Sequence, residues 1–385
     1  MMLNVMVIIF WFSLAVLIYT YFGYPLYVYL KADKARYSVY KDFDYKPLVS
    51  VIISAYNEEA RIGGKIENLL GSDYPADKLE ILVGSDGSTD STNKILTNIQ
   101  DKRVHSFIFQ ARRGKVSVLN DLVAKAKGDI LVFCDARQMF DKNAIKNLAS
   151  DFADQKVGCV SGELVFKEGD KDNKISNGIG TYWDYEKFIR DCESMIYSMA
   201  GATGAIYAIK RELYSPPPAN TILDDMYIPL AVTRAGYRCI LDKQAKAYDD
   251  PAYTPQEEYR RKVRTLTGNY QIFAMFKDRF NPFKSIVAMP LFSHKFLRIV
   301  APFFIILMFL SNLALFKDSF YSMLLIGQVV FYLLAVIGSV TYKSSSRKAF
   351  ARLLSTIYMF CFMNYTALVG FYRFVFSKQD IAWEK

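Results

Sequence analysis

The sequence predicts an α/β fold with a mostly parallel, Rossmann-like sheet flanked by transmembrane α-helices. Short apolar runs alternate with polar, helix-compatible stretches in the middle of the chain, a pattern typical of a sheet covered by helices on both faces. The composition is 52% hydrophobic and only 22% charged, which is more apolar than a simple soluble domain. The excess apolar residues lie at the two ends of the chain.

Net charge indicates which partners the chain can bind, and the cysteines and histidines indicate whether it has a zinc site or disulfides. The 385-residue chain carries a net charge of +10, which suits anionic lipid or a phosphate-bearing substrate. Because the apolar residues cluster at the ends, we expect a lipid bilayer as a partner and no nucleic acid. The two histidines and five cysteines show no metal-ligand spacing, so neither a zinc site nor a disulfide framework is expected.

The amino-terminal segment is predicted to be a transmembrane helix. Residues 3–30 carry no charge before Lys31, and about 20 apolar residues suffice to span a bilayer. A cleaved signal peptide is the alternative, but it would have a preceding basic residue and a shorter apolar core. Basic residues between Lys31 and Lys41 follow, and the positive-inside rule places them in the cytoplasm. We therefore predict a helix over residues 1–30 with its amino terminus outside, and a cytoplasmic domain after it.

Four apolar runs after Pro47 have the length and composition of buried strands. In an open α/β sheet, ligands bind beyond the carboxyl ends of the strands, so the residues that follow each run are candidates for a site. The predicted strands are 48–54, 80–85, 129–134 and 157–161, with helices near 58–70, 89–100, 115–127 and 141–153.

Three of these strand ends carry residues suited to a nucleotide. The first is followed by Ser54-Ala-Tyr-Asn-Glu-Glu59 and the second by Ser85-Asp-Gly-Ser-Thr-Asp90. Tyr56 can stack on a ring, and Asp86 can accept a base N–H. The alternative, a turn with a helix N-cap, explains either motif alone but not both at successive strand ends. The third strand ends in Asp135-Ala-Arg137, which we interpret as a diphosphate site.

Four segments together resemble the family 2 glycosyltransferases in order and spacing. They are Ser54-Ala-Tyr-Asn-Glu-Glu, Gly84-Ser-Asp-Gly-Ser-Thr-Asp, Arg113-Gly-Lys-Val-Ser-Val-Leu-Asn120 and Gly128-Asp-Ile-Leu-Val-Phe-Cys-Asp-Ala136. The resemblance covers residues 47–271 and implies a GT-A fold that uses a nucleotide-diphosphate sugar with inversion at the anomeric carbon. The flanking apolar segments resemble those of the membrane-embedded polysaccharide synthases of that family.

The resemblance also implies roles for individual residues of the donor site. One departure concerns the metal, because the family usually has Asp-x-Asp where this chain has Asp135-Ala-Arg137. An arginine cannot ligate a cation but can bind phosphate oxygens through two parallel hydrogen bonds, so Arg137 could replace part of the metal's charge. The requirement for Mg²⁺ or Mn²⁺ thus stays open. By resemblance, Ala55, Tyr56, Glu58 and Asp86 lie at the nucleoside, Asp135 at the diphosphate and its metal, and Arg113 and Lys115 near the phosphates.

An acidic pair is the candidate base. Asp224 and Asp225 precede an apolar helix, and either could be a plain N-cap. A sugar hydroxyl, however, attacks better when a positioned base takes its proton. In the family an acidic pair stands twelve residues before a glycine such as Gly236, which by resemblance makes Asp225 the base and Asp224 an orienting residue. The preceding glycine-rich stretch would let an acceptor approach the backbone closely; it consists of Gly201, Ala202, Thr203 and Gly204.

The basic cluster Tyr259-Arg-Arg-Lys-Val-Arg-Thr265 is the last candidate motif. Such a cluster is often a solvated or lipid-facing stripe. Its place resembles the Gln-x-x-Arg-Trp motif of processive synthases, with Arg261, Arg264 and Thr265 at the three named positions. Only the arginine is retained, so Arg264 is carried over as a diphosphate contact beside Arg261. The missing tryptophan, which would meet the acceptor sugar, leaves processivity and acceptor identity open.

The carboxyl-terminal part is predicted to return to the membrane. The cytoplasmic domain covers residues 31–279, with an interfacial helix near 255–279 and an interfacial segment over 280–296. Three spans follow at about 297–316, 320–342 and 350–376, within a membrane region of 297–376, before a tail over 377–385. Lys343, Arg347 and Lys348 make the loop between the last two spans cytoplasmic and the carboxyl terminus external.

These observations lead to an expected function with alternatives. The first hypothesis is inverting transfer of a sugar from a UDP-sugar to a growing cell-surface polysaccharide. The second is transfer of a single sugar to a lipid-linked acceptor, such as polyprenyl phosphate or a glycolipid. A third is a sugar-nucleotide-binding partner of another synthase that has no activity of its own. Retention of Asp86, Asp135, Asp225 and Arg264 together argues against the third, since a protein that only binds needs no base.

Overall fold

An eight-stranded sheet occupies the middle of the protein in the computed structural model, which describes residues 2–34, 37–166, 176–249, 255–341 and 349–377. Some of its strands are buried apolar segments, such as β1, and others contain polar residues, such as β3 and β8. They are β1 (Val49–Ala55), β2 (Leu79–Asp86), β3 (Val104–Phe109), β4 (Ile130–Cys134), β5 (Met139–Phe140), β6 (Val157–Phe166), β7 (Tyr207–Lys210) and β8 (Arg238–Asp249).

The sheet has a parallel half and a mixed half, in the order β3-β2-β1-β4-β7-β6-β8-β5. The first four strands run parallel, and their register places Ala55 opposite Ser85. The carboxyl ends of β1 and β2 therefore meet at one edge. Strand β7 runs antiparallel to β4 and β6, β8 runs parallel to β6, and β5 is antiparallel to β8. The α/β class is confirmed.

Helices cover the sheet and extend the chain at both ends. Short 3₁₀ turns connect several of them, at Ala76–Lys78, Asp151–Ala153, Arg211–Leu213 and Lys277–Phe280. The helices are α1 (Met2–Ile18), α2 (Tyr24–Lys34), α3 (Ile62–Leu70), α4 (Thr92–Thr97), α5 (Lys115–Val123), α6 (Ala144–Ser150), α7 (Ser176–Ile196), α8 (Asp224–Arg234), α9 (Pro255–Met275), α10 (Leu297–Ala314), α11 (Ser319–Thr341) and α12 (Ala349–Phe376).

The core lies on both faces of the parallel strands. Side chains alternate between the faces of a strand, so Val51 and Ile53 pack in one apolar cluster and Ile52 in another. Leu119 and Leu122 of α5 belong to the second cluster. Each fully buried aliphatic side chain stabilises the fold by about 1.5–3 kcal/mol. Burial on both faces explains why these strands are near-continuous apolar runs.

Within the described ranges, four helical segments are long and apolar enough to cross a membrane: Leu3–Lys34, Pro290–Ala314, Ser319–Val340 and Phe350–Phe376. The first contains a π-helical turn at Tyr19–Gly23, and the second begins with one at Pro290–Phe296. The second helix thus starts seven residues before the predicted boundary at 297. Its polar residues His294 and Lys295 are bonded to carboxylates of α7, so they do not interrupt the helix.

Helix α9 joins the sheet domain to the membrane helices. The Tyr270 hydroxyl donates to the backbone oxygen of Ile299 at 2.7 Å, and the Thr267 hydroxyl contacts that of Gly370 at 3.3 Å. The predicted interfacial helix near 255–279 corresponds to α9 and the 3₁₀ turn after it. The loop over 343–348 and all but the first residue of the 377–385 tail lie outside the described residues.

Candidate functional site

A cavity of about 1790 Å³ connects the carboxyl ends of the parallel strands with the membrane helices. Tyr56 and Asp86 line it at the ends of β1 and β2, and Asp135 lines it after β4. Asp225 at the start of α8 lies in its wall, and Met363 of α12 belongs to its membrane side. The cavity therefore unites residues that are far apart in the sequence.

The loops after β1 and β2 are bonded to each other. The side-chain oxygen of Asn57 accepts the backbone N–H of Thr89 at 2.8 Å, and the hydroxyl of Thr92 accepts that of Glu58 at 2.8 Å. These hydrogen bonds between the two loops hold Tyr56 and Glu58 in the cavity wall. Ala55 is buried within β1, so it contributes to the position of Tyr56 through the backbone.

Asp86 orders the loop before α5. Its two carboxylate oxygens accept the backbone N–H groups of Arg113 at 2.7 Å and Gly114 at 2.8 Å. Gly114 has a φ of 88°, a conformation that favours glycine. A carboxylate has about four acceptor positions, so these two bonds leave room for the predicted contact to the N–H of a nucleotide base. This positioning role of Asp86 was not expected from the sequence.

The two adjacent arginines of this loop point in different directions. Arg113 donates to Asp121 at 2.6 Å and its guanidinium lies 4.1 Å from the ring centroid of Phe109. Arg113 is not among the residues that line the cavity, and its contact with the phosphates stays a prediction. Arg112 lines the cavity instead, with its guanidinium 3.9 Å from the ring centroid of Tyr56. An Arg-Arg pair offers no sequence signal for choosing between its members.

Lys115 lies between Asp135 and the acidic pair Asp224 and Asp225, and it contacts both Asp135 and Asp224. Its Nζ lies 3.0 Å from Asp135 Oδ1 and 3.2 Å from Asp224 Oδ1. Burial by itself lowers the pKa of Lys115, but the charges of Asp135, Asp224 and Asp225 raise it by more, so its pKa lies above the usual value. The ammonium group thus stays charged and reduces the repulsion among three carboxylates.

The acidic pair begins α8, as expected, and its two members differ in their surroundings. Asp224 is buried and accepts a hydrogen bond from the Tyr207 hydroxyl at 3.3 Å. Burial, and then the charge of Asp224, raise the pKa of Asp225 to about 6. A base whose pKa lies close to the working pH is well matched to proton transfer.

The glycine-rich loop over 201–204 lies against Asp225. A Cβ at Gly204 would stand 2.8 Å from Asp225 Oδ2, so only glycine leaves the carboxylate in place. The backbone N–H of Ala202 donates to the backbone oxygen of Asp225 at 2.9 Å. Gly201, Ala202, Thr203 and Gly204 all line the cavity beside the carboxylate.

The basic residues of α9 also line the cavity. Burial lowers the pKa of Arg264, while nearby Asp224, Asp135 and Asp225 raise it. The guanidinium of Arg261 donates to Glu258 Oε2 at 2.8 and 3.1 Å, and the Thr265 hydroxyl donates to the backbone oxygen of Arg261 at 2.9 Å. Arg264 therefore interacts electrostatically with all three carboxylates, those of Asp135, Asp224 and Asp225.

Arg137 is held by a carboxylate that the sequence did not reveal. Its Nη2 lies 2.6 Å from Asp249 Oδ2, and the Gln138 amide donates to the same oxygen at 3.1 Å. The Asp249 side chain is 1% exposed and that of Arg137 28% exposed, so this is not a surface ion pair. Burial lowers the pKa of Arg137, which lines the cavity near Asp135.

Asp135 is the candidate metal ligand. Within the described ranges, no group of three or more His, Cys, Asp or Glu side chains is arranged to hold a metal. The Asp135 side chain is 31% exposed and faces the cavity. Mg²⁺ is often bound by one or two carboxylates together with substrate phosphates and water, so a single carboxylate at this position fits such a cation.

Comparison with known proteins gives the family of the sheet domain. Residues 50–214 match the family model described as glycosyl transferase family 2. A probable glycosyltransferase, YdaM of Bacillus subtilis, is 26% identical over 257 residues, or 61% of this chain and 58% of that protein. A poly-β-1,6-N-acetyl-D-glucosamine synthase of Staphylococcus aureus is 25% identical over 273 residues, or 68% of this chain and 64% of the relative.

A third relative matches over a shorter segment, and one solved structure is similar in fold. A β-monoglucosyldiacylglycerol synthase of Synechocystis is 31% identical over 118 residues, or 30% of this chain and 25% of that protein. The mannosyltransferase PcManGT of Pyrobaculum calidifontis, solved with GDP-Man and Mn²⁺, superposes with a TM-score of 0.72 at 22% identity, covering 96% of this chain and 99% of that one. These matches show that residues 50–214 form a glycosyltransferase family 2 domain, and that the fold is of the GT-A type.

Proposed function

We propose that the protein transfers a sugar, with inversion, from a nucleotide-diphosphate sugar to a growing cell-surface glycan at the membrane. The observation that carries this proposal is the shared cavity, in which Asp225 and the 201–204 loop lie across Lys115 from Asp135. A UDP-sugar is the proposed donor. The polysaccharide synthase among the relatives supports a glycan acceptor.

In the proposed reaction, an acceptor hydroxyl beside the 201–204 loop attacks the anomeric carbon of the donor sugar. Asp225 takes the hydroxyl proton while the new C–O bond forms. The bond from the anomeric carbon to the diphosphate breaks, and its electron pair leaves with the nucleoside diphosphate. Attack opposite the leaving group inverts the configuration at the anomeric carbon.

Positive charge around Asp135 would stabilise the departing diphosphate. Lys115, Arg137 and Arg264 all line this part of the cavity. Preorganised charge aimed at a leaving group is commonly the largest contribution to catalysis. Asp135 would hold Mg²⁺ or Mn²⁺, which would neutralise charge on the diphosphate oxygens.

The proposed base is tested with Asp225→Asn, which keeps the size of the side chain and removes the proton acceptor. We expect transfer to fall by at least about a hundredfold while donor binding is retained. Purified protein would be assayed with a panel of labelled UDP- and GDP-sugars, and the product would be sized. Asp184→Asn on the exposed side of α7 is the matched control. Turnover of Asp225→Asn within tenfold of the parent would show that the base is another residue.

A lipid-linked acceptor is a second candidate, favoured by the apolar side of the cavity. Leu14, Leu17 and Phe22 from the first membrane helix face this space, together with Met359 and Met363 of α12. Such a wall suits a hydrocarbon tail, and one relative is a glycolipid synthase. Product sizing separates the two candidates, because a lipid acceptor yields an organic-soluble product bearing one sugar.

A sugar-nucleotide-binding role without catalysis has less support. The burial of Asp224 and the close fit of Gly204 against Asp225 are not needed in a protein that only binds. The same assay decides this point, since a protein that only binds would show donor binding without transfer in the parent.

A further inference from the structure

We propose that Trp183 is a stacking platform for a sugar ring of the acceptor, located along the face of α7 that leads away from the proposed base. The inference rests on the proposed transfer to a saccharide acceptor and names the surface that holds this acceptor. It is carried by the placement of Trp183, Glu186 and Arg190 in the cavity wall.

Arg190 fixes α7 to the 201–204 loop. Its Nη1 donates to the Thr203 hydroxyl at 2.8 Å and its Nη2 to the Ser161 hydroxyl oxygen at 3.0 Å. That same oxygen accepts the backbone N–H of Thr203 at 2.9 Å. Because Gly204 touches Asp225, these bonds set the position of α7 relative to the proposed base.

Trp183 lies on the same face of the helix as Arg190. The residues are seven positions apart, which is almost two full turns, and Glu186 lies between them at the third position. At 1.5 Å per residue, Trp183 stands about 10 Å from Arg190 along the helix axis. A sugar at Trp183 would therefore not be the one whose hydroxyl attacks, but a unit further along the acceptor.

The chemistry of this face suits a saccharide. The half-buried indole of Trp183 packs at an angle of 56° to Phe166, with ring centroids 6.1 Å apart. The indole nitrogen itself is buried, so the part of Trp183 that can contact a ligand is its broad apolar face, which matches the apolar C–H face of a sugar ring. The Glu186 carboxylate is held in place by His294 at 2.9 Å and Arg298 at 2.8 Å.

Other aromatic rings near this end are engaged differently. The Tyr185 hydroxyl donates to the backbone oxygen of Tyr21 at 2.7 Å, and the Arg298 guanidinium lies 4.7 Å from its ring centroid. Tyr259 stacks on Tyr365 with centroids 6.4 Å apart. Thr265 stands where processive synthases have tryptophan, and it offers no ring. Trp183 on α7 offers an aromatic face in the same cavity wall as the 201–204 loop.

Acceptor kinetics test this proposal. Trp183→Ala and Trp183→Phe would be compared with the parent in detergent, using short oligosaccharides of glucose, N-acetylglucosamine and mannose as acceptors. We expect the Ala variant to raise the acceptor KM about tenfold, and the Phe variant to restore most of the loss. The donor KM and the hydrolysis of donor by water should not change. Phe188→Ala is the matched control, because Phe188 is an exposed aromatic on α7 whose ring centroid lies 6.0 Å from that of Tyr29.

Fluorescence gives an independent readout. The chain has three tryptophans, so replacing Trp11 and Trp383 with Phe leaves Trp183 as the only indole. Its emission should shift when a productive oligosaccharide is added. An unchanged acceptor KM in Trp183→Ala would overturn the proposal, as would equal losses of transfer and donor hydrolysis. An emission shift with polyprenyl phosphate vesicles but with no oligosaccharide would also overturn it. Failure of the proposed function is distinct, since the parent would then hydrolyse none of the sugar nucleotides.

Discussion

Lys115 is the side chain on which the charge balance of the cavity depends. Its single ammonium contacts both Asp135 and Asp224, which belong to the two halves of the proposed reaction site. The charge of Lys115 also lowers the pKa of Asp225, against the larger raising effects of burial and of Asp224. Donor binding and the state of the proposed base are therefore linked through one residue.

We expect activity to fall below about pH 6, where Asp225 becomes protonated, and to reach a plateau above it. Lys115→Met removes the ammonium and keeps most of the side-chain length. Because Lys115 lowers the pKa of Asp225, its loss should move the acidic limb of kcat to higher pH, in addition to slowing transfer. Profiles of kcat against pH check this, with exposed Lys125→Met as control. An acidic limb at the same pH in both variants would contradict the link.

Arg137 has two candidate roles, since it lines the cavity and also pairs with buried Asp249. If its charge stabilises the leaving diphosphate, Arg137→Ala should slow transfer about a hundredfold, the usual effect of losing such a donor. Asp249→Asn keeps the guanidinium and should then lose thermal stability but little rate. Turnover and melting temperature of both variants separate the roles. Equal rates in the two variants, with equal losses of stability, would show that Arg137 is purely structural.

Arg137→Asp extends this comparison to the metal. The change restores the two carboxylates usual in the family, so transfer should depend more steeply on added Mn²⁺ or Mg²⁺ than in the parent. Turnover measured against metal concentration provides the check, and Arg137→Ala is the reference without the new carboxylate. Superimposable metal curves for all three proteins would remove Arg137 from the diphosphate site.

The start of α8 and the 201–204 loop form one structural unit. Asp224 and Asp225 lie in the first turn of α8, and the backbone oxygen of Asp225 accepts the N–H of Ala202. The absence of a side chain at Gly204 allows this close approach. The geometry of the proposed base thus depends on a glycine in a different element.

Gly204→Ala should displace the Asp225 carboxylate, because the new Cβ would stand 2.8 Å from its Oδ2. Misplacement of a catalytic group by about 1 Å can cost about a hundredfold in rate. We therefore expect kcat to fall by about that factor while the donor KM stays near the parental value. Gly327→Ala in α11 is the matched control, since nothing lies within 4 Å of its new Cβ. A parental kcat in Gly204→Ala would show that the loop does not constrain the base.

Helix α7 shows why some elements were not predicted from the sequence. Its buried face carries Glu186, Arg190 and Glu193, so the apolar periodicity of an amphipathic helix is interrupted. Glu193 bonds to His294 and Arg190 to Thr203, and the helix's own sequence gives no sign of either partner. Strands β3 and β8 were missed for a related reason, since both contain polar residues and neither has the continuous apolar run of β1.

The assembly as a whole places one cavity between the sheet domain and the membrane helices. His294 connects the two parts, because its ring nitrogens lie 2.8 Å from Glu193 and 2.9 Å from Glu186. The hydroxyl of Tyr24 donates to Glu193 at 2.8 Å, which adds the first membrane helix to the same cluster. The domain is therefore held to the membrane helices by buried ionic contacts as well as by the packing of α9.

The orientation of this assembly in the membrane is predicted from the basic loops. The 343–348 loop should be cytoplasmic, together with the sheet domain, and Lys385 should be external. A membrane-impermeant thiol reagent added to intact cells should label Lys385→Cys but not Ser346→Cys, with both labelled after lysis. The five native cysteines are buried or half-buried, so the cysteine-containing parent is a suitable background control. Labelling of position 346 alone from outside would reverse the topology.

Local runs of apolar residues were enough to predict the α/β class, the parallel strands β1, β2 and β4, and the four long apolar helices. The sequence also placed Tyr56, Asp86, Asp135 and Asp225 at strand or helix ends, where the four now line one cavity. That Arg112 rather than Arg113 lines this cavity depends on tertiary contacts, such as that of Arg113 with Asp121. The tertiary structure likewise brought Asp249 to Arg137 across 112 residues, and set Trp183 in the same wall as the 201–204 loop. Contacts of this kind depend on which elements meet in space, and no local pattern of residue types encodes that.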